Sequence, residues 1–326
     1  MKEIKKIGVL TSGGDSPGMN ACIRAVVRTG IYHGLEVFGI KNGYNGLIND
    51  EIEIMDSASV SNIIQRGGTI LKTARSREFM TKEGRQKSFE NLKKHQLDAM
   101  VVIGGNGTFT GANVFINEFN FPIIGAPGTI DNDLYGTDNT IGYDTAVNTV
   151  VDAVDKIRDT ASSHNRLFFI EVMGRDAGFI ALRSGIAGGA EDILVPETVT
   201  YIDELVEILE KGFRKNKKSG VIIVAEGDDA GGAFDVARKV KEKCPNYDTR
   251  VTILGHIQRG GSPSAFDRIL ASTMGYAAVL ALLDGRRGEM IGIVNREIAY
   301  TQFEKAIKHH KDIKRELLEM ARILSS

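Results

Sequence analysis

Ala99-Met100-Val101-Val102-Ile103-Gly104-Gly105-Asn106-Gly107-Thr108-Phe109-Thr110-Gly111 is the stretch on which the reading of the fold turns. Five apolar residues without alternation read as a strand buried on both faces, and such strands belong to parallel sheets. Glycines follow at once, and a helix-length segment, 108–118, begins behind them. The same strand, glycine turn and helix recur along the chain. Residues 7–11, 35–40, 123–126, 167–172, 220–225, 251–254 and 290–294 read as further buried strands. Residues 20–31, 82–95, 144–162, 202–215 and 266–284 read as helices between them. Apolar strands alternating with amphipathic helices place the chain in the α/β class, with mostly parallel sheets.

Composition narrows the function. The 326 residues carry 41 Lys and Arg against 42 Asp and Glu, a formal charge of −1. A nucleic-acid or membrane-surface protein would be strongly basic, so neither partner is expected. Two cysteines, Cys22 and Cys244, make neither a disulfide scaffold nor a four-cysteine zinc site. A reducing, cytoplasmic compartment is expected, as is the absence of a signal peptide, because the first residues lead straight into a strand. No apolar run approaches the ~20 residues of a membrane span. Glycine is abundant, 37 residues against 6 prolines, where average usage gives about 23 and 16. Glycine in turns rather than in linkers implies close approach of backbone to backbone or to ligand.

Three loops have the composition for that. Ser12-Gly13-Gly14-Asp15-Ser16-Pro17-Gly18-Met19-Asn20 lies between a strand and a helix. There, backbone N–H groups and a helix N-terminus suit an anion, although a tight turn accounts for one of the glycines. It is not a Walker A loop, since Met19-Asn20 stand where Lys and Ser/Thr are required. The quoted 104–111 loop is spaced G-x-G-x-x-x-G, one residue longer than the dinucleotide fingerprint, which disfavours a Rossmann dehydrogenase. It either exposes Thr108 to phosphate or packs a glycine pair at a strand end. Pro127-Gly128-Thr129-Ile130-Asp131-Asn132-Asp133 sets two carboxylates at i and i+2 after a strand, as a base with a neighbour near a metal or as a surface turn. Arginines in glycine-rich contexts (Arg75, Arg166, Arg175 and Arg259) suit either forked phosphate recognition or salt bridges. Glu226 ends a strand, as an acceptor for sugar hydroxyls or as a cap. His33, His95, His309 and His310 show no metal spacing and read as surface residues, and Cys22 as a small buried hydrophobe.

Residues 13–20, 127–133, 173–175 and 255–263, taken in this order and spacing, resemble the bacterial-type ATP-dependent 6-phosphofructokinases, over nearly the whole chain. The resemblance implies two similar three-layer α/β domains. The larger, ATP-binding one would take residues 1–142 with 254–306, and the smaller, sugar-phosphate-binding one 143–253 with 307–326. It implies a homotetramer that transfers the γ-phosphoryl of ATP to the 1-hydroxyl of fructose 6-phosphate, using Mg²⁺. Asp131 then matches the catalytic base, with Thr129 and Asp133 beside it, and Arg175 matches the arginine that stabilises the transferring group. Gly13, Arg75, Ser76, Asn106, Gly107 and Thr108 match positions around ATP. Met173, Gly174, Glu226, His256 and Arg259 match sugar-phosphate contacts. Arg166 and Arg250 match arginines that reach a neighbouring subunit's 6-phosphate.

Pyrophosphate-dependent relatives carry Asp and Lys where Gly107 and Gly128 stand, so ATP is the expected donor and the pyrophosphate-dependent enzyme the alternative. A non-catalytic nucleotide-sensing subunit is a second alternative, resting on Asn106 alone. There the family has an aspartate for the Mg²⁺ of MgATP, so weakened Mg²⁺ binding is expected. Arg24, Arg28, Arg158, Lys215 and Lys217, with Glu191 toward an effector's Mg²⁺, match the family's site for ADP or phosphoenolpyruvate. One further arginine of that site is replaced by Glu51, so altered effector binding is expected.

Overall fold

The structure is a computed structural model, which describes residues 3–164, 166–214 and 219–325. Its strands are β1 (Lys6–Thr11), β2 (Glu36–Ile40), β3 (Ile52–Met55), β4 (Ala99–Gly104), β5 (Ile123–Pro127), β6 (Arg166–Val172), β7 (Asp192–Leu194), β8 (Gly220–Ala225), β9 (Asp248–Ile253), β10 (Glu289–Val294) and β11 (Glu297–Gln302). The helices are α1 (Met19–Tyr32), α2 (Gly43–Ile48), α3 (Lys82–Lys94), α4 (Asn106–Phe119), α5 (Tyr143–His164), α6 (Phe179–Ala187), α7 (Ile202–Arg214), α8 (Ala233–Lys243), α9 (Ala265–Leu283), α10 (Phe303–Lys308) and α11 (Arg315–Ser325).

The chain divides into two compact units. The first comprises residues 1–130, 134–145 and 259–311; the second comprises 131–133, 146–258 and 312–326. Their bounds at 145/146, 258/259 and 311/312 lie three to five residues after those the resemblance implies.

In the first unit seven strands run in the order β11-β10-β5-β4-β1-β2-β3. The inner five are parallel, and β3 and β11 close the edges as antiparallel partners of β2 and β10. The order reverses between β1 and β4, and in open α/β sheets a ligand crevice forms at such a point, outside the carboxyl ends of the strands. One core lies under α1 and α9, including Ile7, Val9, Val101 and Ile103 of the sheet with Met274 and Ala278 of α9. The opposite face is covered by a second core in which Phe109 stacks on Phe303 with centroids 5.2 Å apart.

Helix α9 departs from the expectation of no span-length apolar run. Its 19 residues are apolar enough to cross a membrane by length and composition, yet most of the apolar window is buried against this sheet. Its buried residues belong to the core of the first unit. His95, read as a surface residue, is half-buried with Nε2 2.6 Å from Asp50 Oδ1.

The second unit has four parallel strands in the order β7-β8-β6-β9. Its core gathers Phe169, Ile222 and Val224 with Val236 and Val240 of α8. Mostly parallel sheets with helices were expected; the two sheets differ in size, seven strands against four.

The stacked pair under the first sheet sets how firmly α4 is seated. Both rings are fully buried, so Phe109→Ala should cost about 3–5 kcal/mol in urea unfolding.

Candidate active site

Three loops of the first unit leave adjacent parallel strands at one edge. Thr11 is in register with Ile103, and Gly104 with Pro127. The loop after β1 therefore lies beside the one after β4, with the 127–129 segment next.

The first two are joined by side chain to backbone. Thr108 Oγ1 donates to the Ser12 carbonyl at 3.0 Å, and Tyr44 OH donates to the Thr108 carbonyl at 2.7 Å. Gly104 is what allows this approach: a Cβ there would lie 2.3 Å from Thr108 Oγ1 and 2.5 Å from Ser12 O. Gly13 is in the left-handed region, φ 89°, and its carbonyl accepts from Thr73 Oγ1 at 2.8 Å. Buried Ser16 Oγ has no hydrogen-bond partner among the described residues, although it lies in the loop leading to α1.

Helix α4 begins at Asn106; the Thr108 and Phe109 amides already donate to the Gly105 carbonyl, which leaves the Asn106 and Gly107 amides without intrahelical acceptors, and the helix dipole favours an anion there. Gly107 is exposed, and a Cβ on it would meet nothing within 4 Å. Gly128 is the opposite, with a Cβ 2.9 Å from Ile103 Cγ2 and 3.0 Å from Met19 Cε. Asn106 Oδ1 is buried with no hydrogen-bond partner among the described residues. An orphaned amide oxygen beside that opening fits a divalent cation's water shell. Among the described residues no three His, Cys, Asp or Glu side chains gather to hold a metal. A magnesium ion would therefore come largely liganded by phosphates and water, as this ion usually does.

The other nucleotide candidates are plainly placed. Arg75 is exposed. Ser76 Oγ accepts from the Phe79 amide at 3.1 Å, which makes it a turn cap in this structure. Arg259 Nη1 donates to the Asp15 carbonyl at 3.1 Å, and a Cβ on Gly14 would sit 2.6 Å from that nitrogen. This arginine lies against the first glycine loop.

The second unit gathers a different set. Asp131 is buried, its Oδ2 3.7 Å from Arg175 Nε. Arg175 itself has φ 53°, and Glu226 Oε1 accepts from the Gly174 and Arg175 amides at 3.2 and 2.8 Å. Glu226 thus holds the 173–175 turn that aims the guanidinium. Gln258, absent from the sequence reading, is fully buried; its Oε1 accepts from the Met173 amide and its Nε2 donates to the Gly255 carbonyl. His256 is exposed, Asn132 is left-handed at φ 54°, and Asp133 is half-buried.

Arg166 and Arg250 share one carboxylate. Asp248 takes Arg166 Nε at 2.9 Å and Arg250 Nη1 at 2.5 Å. The register pairs Arg166 directly with Asp248 across β6 and β9. The Arg166 hydrogen bond holds the Asp248 carboxyl below the ordinary range. The sequence signal for Asp248 was its place two residues before Arg250.

Of the effector candidates, Arg24 and Arg28 lie on α1 of the first unit. Arg158 and buried Glu191 belong to the second, Arg158 Nη2 donating to the Gly188 and Gly189 carbonyls. Lys215 and Lys217 fall outside the described residues. Glu51 Oε2 accepts from Asn42 Nδ2 at 2.5 Å, so its charge is partly engaged within the protein.

Comparisons with known proteins give the family. Residues 6–282 match the family model described as phosphofructokinase. A Bacteroides thetaiotaomicron protein named ATP-dependent 6-phosphofructokinase 2 is 60% identical over 325 residues, which is 100% of each chain. Saccharomyces cerevisiae phosphofructokinase superposes with a TM-score of 0.87 at 41% identity; the match covers 93% of this chain and 45% of the longer yeast one. A Marinobacter aquaeolei pyrophosphate-dependent phosphofructokinase shares the fold, TM-score 0.83 over 98% of this chain and 91% of its own, at 22% identity. With its crevice glycines, its buried aspartate beside an arginine and a match over most of its length, the chain belongs to the phosphofructokinase family.

Proposed function

We propose that this enzyme transfers the γ-phosphoryl group of MgATP to the 1-hydroxyl of fructose 6-phosphate, the kinase step that yields fructose 1,6-bisphosphate and ADP in glycolysis. The reading is carried by the Asp131–Arg175 pair in a chain that is 60% identical, end to end, to a protein named for this reaction. The nucleotide residues lie in the first unit, and the sugar-phosphate residues, Arg259 excepted, in the second.

A phosphoryl transition state is loose, so the protein mainly positions reactants and offsets charge. Gly13, Thr108 and the first-turn amides of α4 receive the phosphates, with Arg75 and Ser76 flanking them. Gly107 leaves the space the nucleotide fills. A carboxylate with an ordinary pKa of about 4 cannot deprotonate a sugar hydroxyl in advance. Asp131 accepts the proton late, as the O1–P bond forms and the bond to ADP breaks with its electron pair going to the β-phosphate oxygen. Arg175 shifts from Asp131 to the more highly charged transferring group, and Glu226 keeps the turn fixed meanwhile. Thr129 and Asp133 flank the base. Met173, Gly174, His256 and Arg259 line the sugar phosphate. Magnesium, when bound with the nucleotide near Asn106, supplies charge neutralisation of its phosphates.

Arg166 and Arg250, already brought together by Asp248, hold a 6-phosphate, by the resemblance that of a neighbouring subunit in a homotetramer. ADP or phosphoenolpyruvate would be met by Arg24, Arg28, Arg158, Lys215, Lys217 and Glu191, with Glu51 weakening a phosphate's hold. A cytoplasmic setting suits two buried, unbridged cysteines. Gly107 supports ATP over pyrophosphate, because the donor-discriminating aspartate is missing where space is open.

Bisphosphate formation should proceed with ATP and not with pyrophosphate, and Asp131→Asn should lower kcat about 10²–10⁴-fold. Turnover with pyrophosphate alone, or an active Asp131→Asn enzyme, would overturn the reading. Replacing the neutral side chain by a charged one, Asn106→Asp, should lower the free Mg²⁺ giving half-maximal rate roughly tenfold, since a contact to a charged group is worth about 1–1.5 kcal/mol more than a neutral one.

A further inference from the structure

Asp267 is fully buried, yet it has no part in the chemistry above. It stands at the third position of α9, behind the N-cap Ser264, whose Oγ accepts from the Asp267 amide at 3.1 Å. An acidic residue there ordinarily folds back on the N-cap amide to close a capping box. Here the Ser264 amide donates to Thr145 Oγ1 instead, at 3.0 Å. The Asp267 carboxylate turns to the start of a different helix, α5. Its Oδ1 accepts from the Gly142 amide at 2.9 Å, and its Oδ2 from the Thr145 amide and hydroxyl at 2.8 and 2.6 Å. One carboxylate thus serves two helix N-termini, both of which favour negative charge. Burial pushes its pKa up, opposed by the hydrogen bonds from Thr145 and Gly142.

The segment it grips holds the loop that carries the base. Ile141 donates its amide to the Pro127 carbonyl at 2.8 Å, and Thr140 Oγ1 donates to the buried Thr129 carbonyl at 2.6 Å. Gly142, at φ 101°, approaches the first glycine loop so closely that a Cβ would lie 2.6 Å from Ser16 Cβ. Asp131 follows Thr129 by two residues. We infer that Asp267 is a positioning residue for phosphoryl transfer: through the 140–145 segment it sets where the 127–131 loop presents Asp131. This rests on the reading of Asp131 as the base.

The test is a double-mutant cycle with separate kcat and KM. In Asp267→Asn an amide must face backbone N–H groups in place of a bidentate acceptor. Displacing a reacting group by an ångström costs about 10²-fold, so kcat should fall about 10–100-fold while both KM values stay within about twofold. In the Asp131→Asn background the same change should cost nothing further, because the group it positions is gone. Amide exchange at Gly142 and Thr145 should quicken. Thr145→Val, which keeps the carboxylate and loses only the hydroxyl bonds, should lower kcat a few-fold with the same pattern; it carries the test if Asp267→Asn does not fold. A fall in Tm with kcat unchanged, or penalties that multiply in the double variant, would overturn the inference. An unchanged kcat in Asp131→Asn alone would instead remove the base assignment, which keeps the two failures apart.

Discussion

A hydrogen bond from Thr108 Oγ1 to the Ser12 carbonyl ties the ends of β1 and β4 together in the first unit, and Gly104 alone leaves room for it. Any side chain at 104 would overlap both partners, so the two loops would part. Their closeness follows from a parallel pairing that ends at the reversal in strand order. There helices α1 and α4 begin, and α4 keeps the Asn106 and Gly107 amides free of intrahelical acceptors. Glycine at 13, 104 and 107 then serves three separate needs: a left-handed turn, a backbone approach, and open space.

The second unit uses carboxylates as frames for cations. Glu226 grips the backbone of the turn that carries Arg175. Asp248 aligns Arg166 with Arg250, and Gln258 ties the 173 and 255 strand ends. Forked recognition by arginine depends on a fixed guanidinium, and these neighbours fix it for the phosphate role proposed above. Acidic residues next to cationic sites therefore serve as orienters without the ligand being repelled, provided their charge is already spent on an N–H or a guanidinium.

The fold was legible where burial was complete. The central strands β4, β5 and β8 are apolar throughout, β1 and β6 are apolar over their middle residues, and such short runs between helices have few other readings. The strands missed are edge or minor ones. β3 and β11 are antiparallel edges with exposed residues, and β7 has only three. The glycine loops and the D-x-D pair stood out because residue type alone carries their chemistry. Asp248, Gln258 and Asp267 did not, since each is bound to a partner 82, 85 or 125 positions away that no local pattern reveals. An aspartate behind a serine at a helix start reads locally as a cap, and only the tertiary structure turns it toward a second helix.

The central claim is that the opening at Gly107 is the place of the nucleotide's phosphates. Calorimetric titration of MgATP into the enzyme and its Gly107→Asp variant tests it directly. Because a Cβ there touches nothing, stability should be unchanged while the added carboxylate weakens MgATP binding about tenfold or more, the equivalent of ~1.4 kcal/mol. The same Kd in both proteins would mean that the phosphates lie elsewhere, and the account would fail.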